Sequence, residues 1–214
     1  MKKTIVKAIL VATMLVSVAL GSEGPINAAA ATTPAPAAGK TTTPAPVMTD
    51  NLSKYGLKKD VELPVTVTAG GLSYTLHKVM IYDINSSTAI SLQKQYKFVD
   101  YFGAIVDPQY LIWTKITITN KSNKTIEHSN KDMLFKWRLF FENGGEAVLV
   151  DALSEKVHLN SKQALYDFKL QPGESLITYQ AMYYKGNFKY LGILLSFNGE
   201  SVKKYIVNRP VVKQ

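Results

Sequence analysis

Hydrophobic and polar residues alternate with a period of two over much of the chain after residue 57, which is the pattern of half-buried β-strands. The segment 133–141 gives the strongest signal, because an apolar residue stands at every odd position and charged residues stand at Lys136 and Arg138. Another predicted strand places Ile112, Ile116 and Ile118 on one face and Trp113, Lys115, Thr117 and Thr119 on the other. Shorter alternating segments lie at Val65–Val67, Ala147–Val150, Ser175–Tyr184, Leu191–Phe197 and Tyr205–Val207.

One strand contains a change of phase. Tyr74 and Leu76 lie on one face, and the same face is continued by Val79 and Ile81, which are an odd number of residues further on. A single extra residue in one strand produces such a slip, so we expect a β-bulge near His77-Lys78.

Turn residues separate the alternating segments. Gly70-Gly71, Asn143-Gly144-Gly145 and Gln171-Pro172-Gly173-Glu174 are typical of tight connections between antiparallel strands. Only 87–98 could form a helix, and its short pattern fits a single short helix or an irregular loop. The pattern therefore predicts an all-β fold, an antiparallel immunoglobulin-like β-sandwich of about seven to nine strands.

The N-terminal residues predict export. A basic start at Lys2, Lys3 and Lys7 precedes the apolar run Ala8–Leu20, and small residues follow. This is the layout of a secretory signal peptide cleaved after Ala28, Ala29 or Ala30. An uncleaved anchor is the alternative, although the run is shorter than the ~20 residues of a spanning helix. We expect no membrane span once the signal is removed.

A spacer follows the predicted signal. Thr32–Val47 reads TTPAPAAGKTTTPAPV, in which proline favours extended chain and the small residues offer little to bury. We therefore expect a signal peptide at 1–30, a linker at 31–56, the sandwich at 57–209 and a short tail at 210–214.

Composition narrows the possible partners. The net charge is +9, and the predicted mature part keeps +7 because the signal holds three lysines and one glutamate. Basic exported proteins attract anionic polymers such as teichoic acids, and export argues against a nucleic-acid partner. The lysines are scattered, at Lys58-Lys59, Lys121, Lys124, Lys131, Lys136 with Arg138, and Lys203-Lys204, which is also typical of an ordinary soluble surface.

Several motifs together resemble a known family. Lys115–Asn120 reads KITITN, a polar turn with Asn123–Ile126 follows, and Leu170–Glu174 reads LQPGE before a long strand. This resembles the immunoglobulin-like sandwich of many Gram-positive exported proteins, a domain family of unknown function sometimes mislabelled after a telomere-binding factor. It is similar to a small immunogenic antigen secreted by mycobacteria, and also to bacterial β-sandwich proteinase inhibitors. The resemblance implies no catalytic residues.

Candidate chemistry is sparse. There is no cysteine, which excludes disulfides, thiolate metal sites and thiol nucleophiles. His77, His128 and His158 do not share metal-ligand spacing, and no Gly-x-Ser-x-Gly motif is present. Asp100 and Asp107 could serve as paired carboxylates only if they shared a groove. We expect no catalytic, metal or cofactor site.

The aromatic segment 96–110 supplies the candidate binding surface, which consists of Tyr96, Phe98, Tyr101, Phe102 and Tyr110. These aromatics either cap the open end of the sandwich or form an exposed surface for a glycan, a peptide or a second copy of the protein. The expected function is a secreted non-catalytic binding module, either free or associated with the cell wall, for a cell-wall polymer or a protein partner. The alternative is a proteinase inhibitor that uses Ser86–Asp107 as its inserting loop.

Overall fold

The computed structural model describes residues 49–100, 103–129, 136–142, 145–152 and 158–208. They form antiparallel strands, one 3-10 helix (Leu52–Tyr55) and one α-helix, α1 (Ser87–Tyr96). The strands are β1 (Val65–Ala69), β2 (Leu72–Asp83), β3 (Phe98–Val99), β4 (Tyr110–Asn120), β5 (Ile126–His128), β6 (Trp137–Glu142), β7 (Gly145–Ala152), β8 (Phe168–Leu170), β9 (Ser175–Tyr184), β10 (Leu191–Phe197) and β11 (Glu200–Val207). None of these residues forms a helix long and apolar enough to cross a membrane.

The strands pack as a sandwich of two layers. Hydrogen-bonded neighbours follow the order β1-β2-β4-β9-β7-β6-β10-β11, β3 pairs with β7, and β5 pairs with β8. The layer β1-β2-β4-β9 faces the layer β6-β10-β11, since the Tyr74 ring of β2 stacks on Trp137 of β6 at 5.1 Å. Tyr184 of β9 likewise meets Phe141 of β6 at 4.9 Å between ring centroids. Strand β7 pairs with both β9 and β6 and so joins the layers.

The predicted all-β sandwich is confirmed, with more strands than expected. Strands β3, β5 and β8 have two or three residues each, too few for a periodic signal in the sequence. The predicted faces of β4 are also confirmed, because Ile112, Ile116 and Ile118 are buried in the main core and the alternating residues are half-buried. The bounds of β9 and β10 agree with the alternating segments. Met133 and Phe135 lie outside the described residues.

The predicted β-bulge is present in β2. Leu76 pairs with Ile116 of β4 and Lys78 pairs with Lys115, so His77 is the extra residue. Because of this insertion, Leu76 and Val79 both point into the core. His77 and Lys78 lie between them on the outer face of the layer.

The Gly70-Gly71 turn connects β1 to β2 as predicted. Both glycines have left-handed backbone angles, with φ of 53° and 85°, which side chains rarely adopt. The turn also holds the two layers together, because the Gly70 amide donates to a Glu200 carboxylate oxygen at 2.8 Å and Asn198 donates to the Gly70 carbonyl at 3.1 Å.

The folded region begins earlier than the sequence predicted. Leu52 and Leu57 are fully buried in the main core, and the Asn51 side chain bonds both the amide and the carbonyl of Ile81 at 2.8 Å. The prediction that the linker extends to residue 56 was wrong, because isolated leucines among polar residues leave no period to recognise. The predicted signal peptide, the linker up to residue 48 and the tail 210–214 lie outside the described residues.

The segment after β2 covers the outer face of the sheet. Helix α1 begins at the N-cap Ser86, whose hydroxyl accepts from the Ala89 amide at 3.3 Å, and ends at Lys97 in a left-handed conformation. The short helix, rather than an irregular loop, is the correct alternative. Its Ala89 and Tyr96 pack with Phe98 in a second apolar cluster outside β4 and β9.

Candidate functional site

The predicted aromatic surface does not form one continuous site in the described residues. Tyr96 is 7% exposed and Phe98 is 8% exposed, since both rings lie 5.8 Å from the Trp113 ring on the outer face of β4. Little of either ring is accessible to a partner. Tyr101 and Phe102 lie outside the described residues.

Tyr110 belongs to a different cluster. It is half-buried at the start of β4 and contacts Tyr55 at 5.9 Å and Phe188 at 4.7 Å between ring centroids. These rings pack on Tyr184 and Phe141 and continue the main core. This placement matches the capping interpretation for Tyr110, whereas Tyr96 and Phe98 cover a sheet face.

The acidic candidates have separate environments. The Asp100 carboxylate accepts a hydrogen bond from the Ile105 amide at 3.0 Å, and the Asp100 backbone carbonyl accepts one from the Gly103 amide at 3.2 Å. Asp100 is therefore engaged in local backbone hydrogen bonds. Asp107 is exposed with φ of 53°. Helix α1 and the burial of Phe98 also shorten the exposed part of the segment proposed as an inhibitor loop.

The three histidines are dispersed. His77 is the bulge residue, His158 is exposed in a loop, and His128 is a buried residue of β5 whose ring lies 5.5 Å from Phe168. The sequence gives no sign of β5 at His128, because a three-residue strand is too short for a periodic pattern. No group of three potential metal-ligating residues occurs in the described part of the chain.

The structure reveals a site that the sequence did not indicate. Lys78 of β2 and Lys115 of β4 are direct cross-strand neighbours on the outer face, and we call them the lysine pair. Both are half-buried, and neither has a carboxylate within ion-pair distance among the described residues. Like charges directly opposite each other destabilise a sheet, so the pair is an unfavourable arrangement in the absence of a ligand.

His77 adjoins the lysine pair. Its Nε2 lies 2.7 Å from the Thr117 hydroxyl, which fixes the ring against β4. Burial and then the positive charge of Lys115 lower the pKa of His77 below its ordinary value of 6.5. The imidazole is therefore neutral at neutral pH and can offer one N–H donor or one acceptor beside the two ammonium groups.

Aromatic rings border the other side of the lysine pair. Tyr179 of β9 is the cross-strand neighbour of Lys115, and its ring stacks on Trp113 at 5.3 Å with an interplanar angle of 11°. Tyr96 stacks on the same tryptophan. The lysine pair thus lies between a stack of three rings and the hydroxyl side chain of Thr117. Two ammonium groups in this setting can bind a phosphate or sulfate group as point charges.

The other basic residues are dispersed. Lys59 forms ion pairs with Asp50 at 2.8 Å and Glu62 at 2.6 Å. Arg138 and Lys203 flank Leu194 in one row on the outer face of the opposite layer.

Lys203 differs from the lysine pair in its surroundings. Its ammonium lies 4.3 Å from the Phe140 ring centroid and 5.3 Å from that of Tyr205. The side chain of Lys204, the next residue in β11, points to the opposite face of the strand. These two residues provide matched controls for the lysine pair.

Comparisons with known proteins give structural similarities alone. No family model and no curated protein matches the chain. The yjhA protein of Bacillus subtilis is 16% identical, with a TM-score of 0.44 over 68% of this chain and 97% of that one. A functionally unknown protein of Listeria monocytogenes is 11% identical, with a TM-score of 0.39 over 68% and 81%. An uncharacterised β-sandwich protein of Clostridium difficile is 12% identical, with a TM-score of 0.37 over 69% and 93%.

Proposed function

We propose that this chain is a secreted or cell-envelope, non-catalytic binding module whose lysine pair binds phosphate groups of an anionic cell-wall polymer. The observation that carries the proposal is the direct cross-strand pairing of Lys78 with Lys115, with no carboxylate to neutralise either side chain in the described residues.

A bound anion changes the energy of the lysine pair. Directly opposed residues have Cβ atoms about 5 Å apart, so two ammonium groups repel each other on the sheet surface. A phosphate group between them replaces that repulsion by two charge-assisted hydrogen bonds. The half-buried position strengthens the attraction, because water screens charges less there than on an open surface. The basic composition of the chain draws the same polymer towards the protein.

The neighbouring residues suit an oxyanion. His77 can donate a hydrogen bond to it, and a bound anion would favour the protonated ring and so raise the pKa of His77. Tyr179 presents a ring beside Lys115, where the uncharged part of a ligand can rest.

The test measures retention on purified Gram-positive cell walls over a salt series in phosphate-free buffer. We expect the wild-type protein to bind at low salt and to be released as salt rises. Lys78→Ala and Lys115→Ala should each weaken binding about tenfold, the effect of losing one hydrogen bond between charged groups.

Lys203→Ala and Lys204→Ala are the matched controls, because they remove the same charge from other surfaces. We expect both to bind nearly as well as the wild type. Equal losses in all four variants would show that net charge alone governs retention, and no retention of the wild type at low salt would refute the proposal.

A further inference from the structure

We infer that the polymer recognised by the lysine pair is a phosphodiester-linked polyol or glycan, because a hydroxyl-bearing sheet face lies directly beside that pair. The inference rests on the proposed function and specifies the class of ligand. Thr117, which bonds His77, belongs to both the phosphate site and this face.

The hydroxyl side chains form two rows across the outer face of the layer β1-β2-β4-β9. The first row runs through cross-strand neighbours Thr66, Thr75 and Thr117. The second row lies two residues further along the strands and consists of Thr68, Ser73, Thr119 and Ser175. We call these seven residues the hydroxyl face.

The origin of the hydroxyl face is the alternation in the sequence. In Val65–Thr68 of β1 and Ile116–Thr119 of β4, valine or isoleucine points into the core and threonine points outward at each second residue. Adjacent strands lie about 4.8 Å apart and residues of one face repeat about every 6.8 Å along a strand. The face is therefore a regular array of short side chains, and its five β-branched threonines have little conformational entropy to lose on binding.

Hydrogen bonds within the hydroxyl face orient its members in pairs. Thr66 and Thr75 are 2.8 Å apart, Thr68 and Ser73 are 2.9 Å apart, and Thr119 and Ser175 are 2.8 Å apart. A hydroxyl has one donor and two acceptor sites. The Thr66–Thr75 and Thr119–Ser175 pairs each use one donor internally and keep one donor and several acceptor sites for a ligand or water. Ser73 is 3% exposed and also donates to the Val67 carbonyl at 3.4 Å, so in its pair Thr68 is the member that faces a ligand.

The chemistry of the face selects among anionic polymers. The hydroxyl face contains no charged residue, so it cannot neutralise a second and third phosphate at close spacing. A polymer whose repeating unit has an uncharged, hydroxyl-rich part next to each phosphate matches this surface. The phosphate would bind to the lysine pair and the uncharged part would lie on the hydroxyl face.

The experiment compares two polyanions by isothermal titration calorimetry on the mature full-length protein. Poly(glycerol phosphate) carries a polyol between phosphates, and inorganic polyphosphate of equal phosphate number carries none. Thr66→Val with Thr119→Val removes one hydroxyl from each row and keeps the β-branched shape that suits a strand. Ser196→Ala with Ser201→Ala removes a hydroxyl pair, 2.9 Å apart, from the opposite layer as the control.

We expect the Thr66→Val, Thr119→Val variant to bind poly(glycerol phosphate) about tenfold more weakly, as for two lost hydrogen bonds of ordinary net strength. Its affinity for polyphosphate should stay within about twofold of the wild type, and the serine control should match the wild type with both polymers. Equal affinity of the threonine variant and the wild type for poly(glycerol phosphate) would overturn the inference, as would equal weakening with both polymers. If the ligand class is refuted in this way, loss of polyphosphate binding in Lys115→Ala would still support the proposed function. A wild-type protein that binds neither polymer would refute both the proposed function and the ligand class.

Discussion

Replacing Lys115 by threonine should stabilise the free protein and weaken its binding, and the two effects have one cause. In the free protein the substitution removes a like-charge cross-strand pair, which destabilises a sheet by about 0.2–1 kcal/mol. Threonine also suits a strand better than lysine does. The free energy of unfolding should therefore rise by roughly 0.5–1 kcal/mol, or about 2 °C in Tm for a domain of this size.

Lys203→Thr is the matched comparison, because it removes a favourable contact instead of a repulsion. The Lys203 ammonium lies over the rings of Phe140 and Tyr205, so its loss removes cation–π contacts of about 0.5–1 kcal/mol at an exposed site. The gain from strand propensity occurs in both variants and cancels in their difference. Lys115→Thr should therefore be more stable than Lys203→Thr by about 0.7–2 kcal/mol.

Urea unfolding in phosphate-free buffer at low salt measures this difference directly. At about 0.5 M salt the part due to charge repulsion should shrink, because the screening length falls to a few ångströms. Added phosphate at about ten times its Kd should stabilise the wild type by about 1.4 kcal/mol and leave Lys115→Thr nearly unchanged. A Lys115→Thr variant that is less stable than Lys203→Thr without phosphate would refute the repulsion argument.

Three further substitutions test other parts of the structure. Because the pKa of His77 is lowered, the folded protein favours the neutral ring. The neutral ring therefore stabilises the fold fully above pH 6.5, and this stabilisation is lost as the pH falls from 6.5 through the folded-state pKa. His77→Gln should abolish this part of the pH dependence of unfolding between pH 5 and about 7.5, and an unchanged pH profile would contradict the assignment. Gly192→Ala should lower the free energy of unfolding by about 1–3 kcal/mol, because the new Cβ would overlap the Phe140 ring. Of the three nearest ring atoms, even the farthest, Cε1, would lie only 2.9 Å from that Cβ. The same change should cost much less in a Phe140→Leu background, which lacks the overlapping ring atoms, and equal costs by thermal unfolding would argue against the overlap. Gln180→Leu should lower the free energy of unfolding by about 1–3 kcal/mol and shift tryptophan emission, because it leaves the buried Trp137 indole N–H without its 2.6 Å hydrogen bond. An unchanged denaturation midpoint would contradict this role of Gln180.

The sequence predicted those features of the fold that depend on neighbouring residues. The bulge at His77 was predictable because a one-residue slip moves every later apolar side chain of β2 to the wrong face unless a bulge corrects it. The Gly70-Gly71 turn was predictable because its backbone conformation requires glycine. In contrast, Leu52 is buried by residues far away in the chain, and no local pattern indicates such burial.

The candidate site depends on register between distant segments. Lys78 and Lys115 become neighbours only because β2 pairs with β4 across an intervening helix, loop and short strand, and neither lysine is unusual within its own strand. The aromatic segment was hard to interpret for the opposite reason. Tyr96 and Phe98 are locally conspicuous, but whether they are exposed depends on Trp113 beneath them.

The central position of β9 has a consequence for how the chain folds. Strand β9 pairs with β4 and with β7, and its partner residues are far apart in sequence, as for Thr119 and Ser175, which are separated by 56 positions. Such long loops must close before the ladder stabilises them, so we expect folding on the millisecond-to-second scale of other β-sandwiches. Until Ser175–Tyr184 is available, β4 has an unpaired edge and β7 has no partner in the first layer. A chain that ends before β9 should therefore remain unfolded and prone to pair with other chains through that edge.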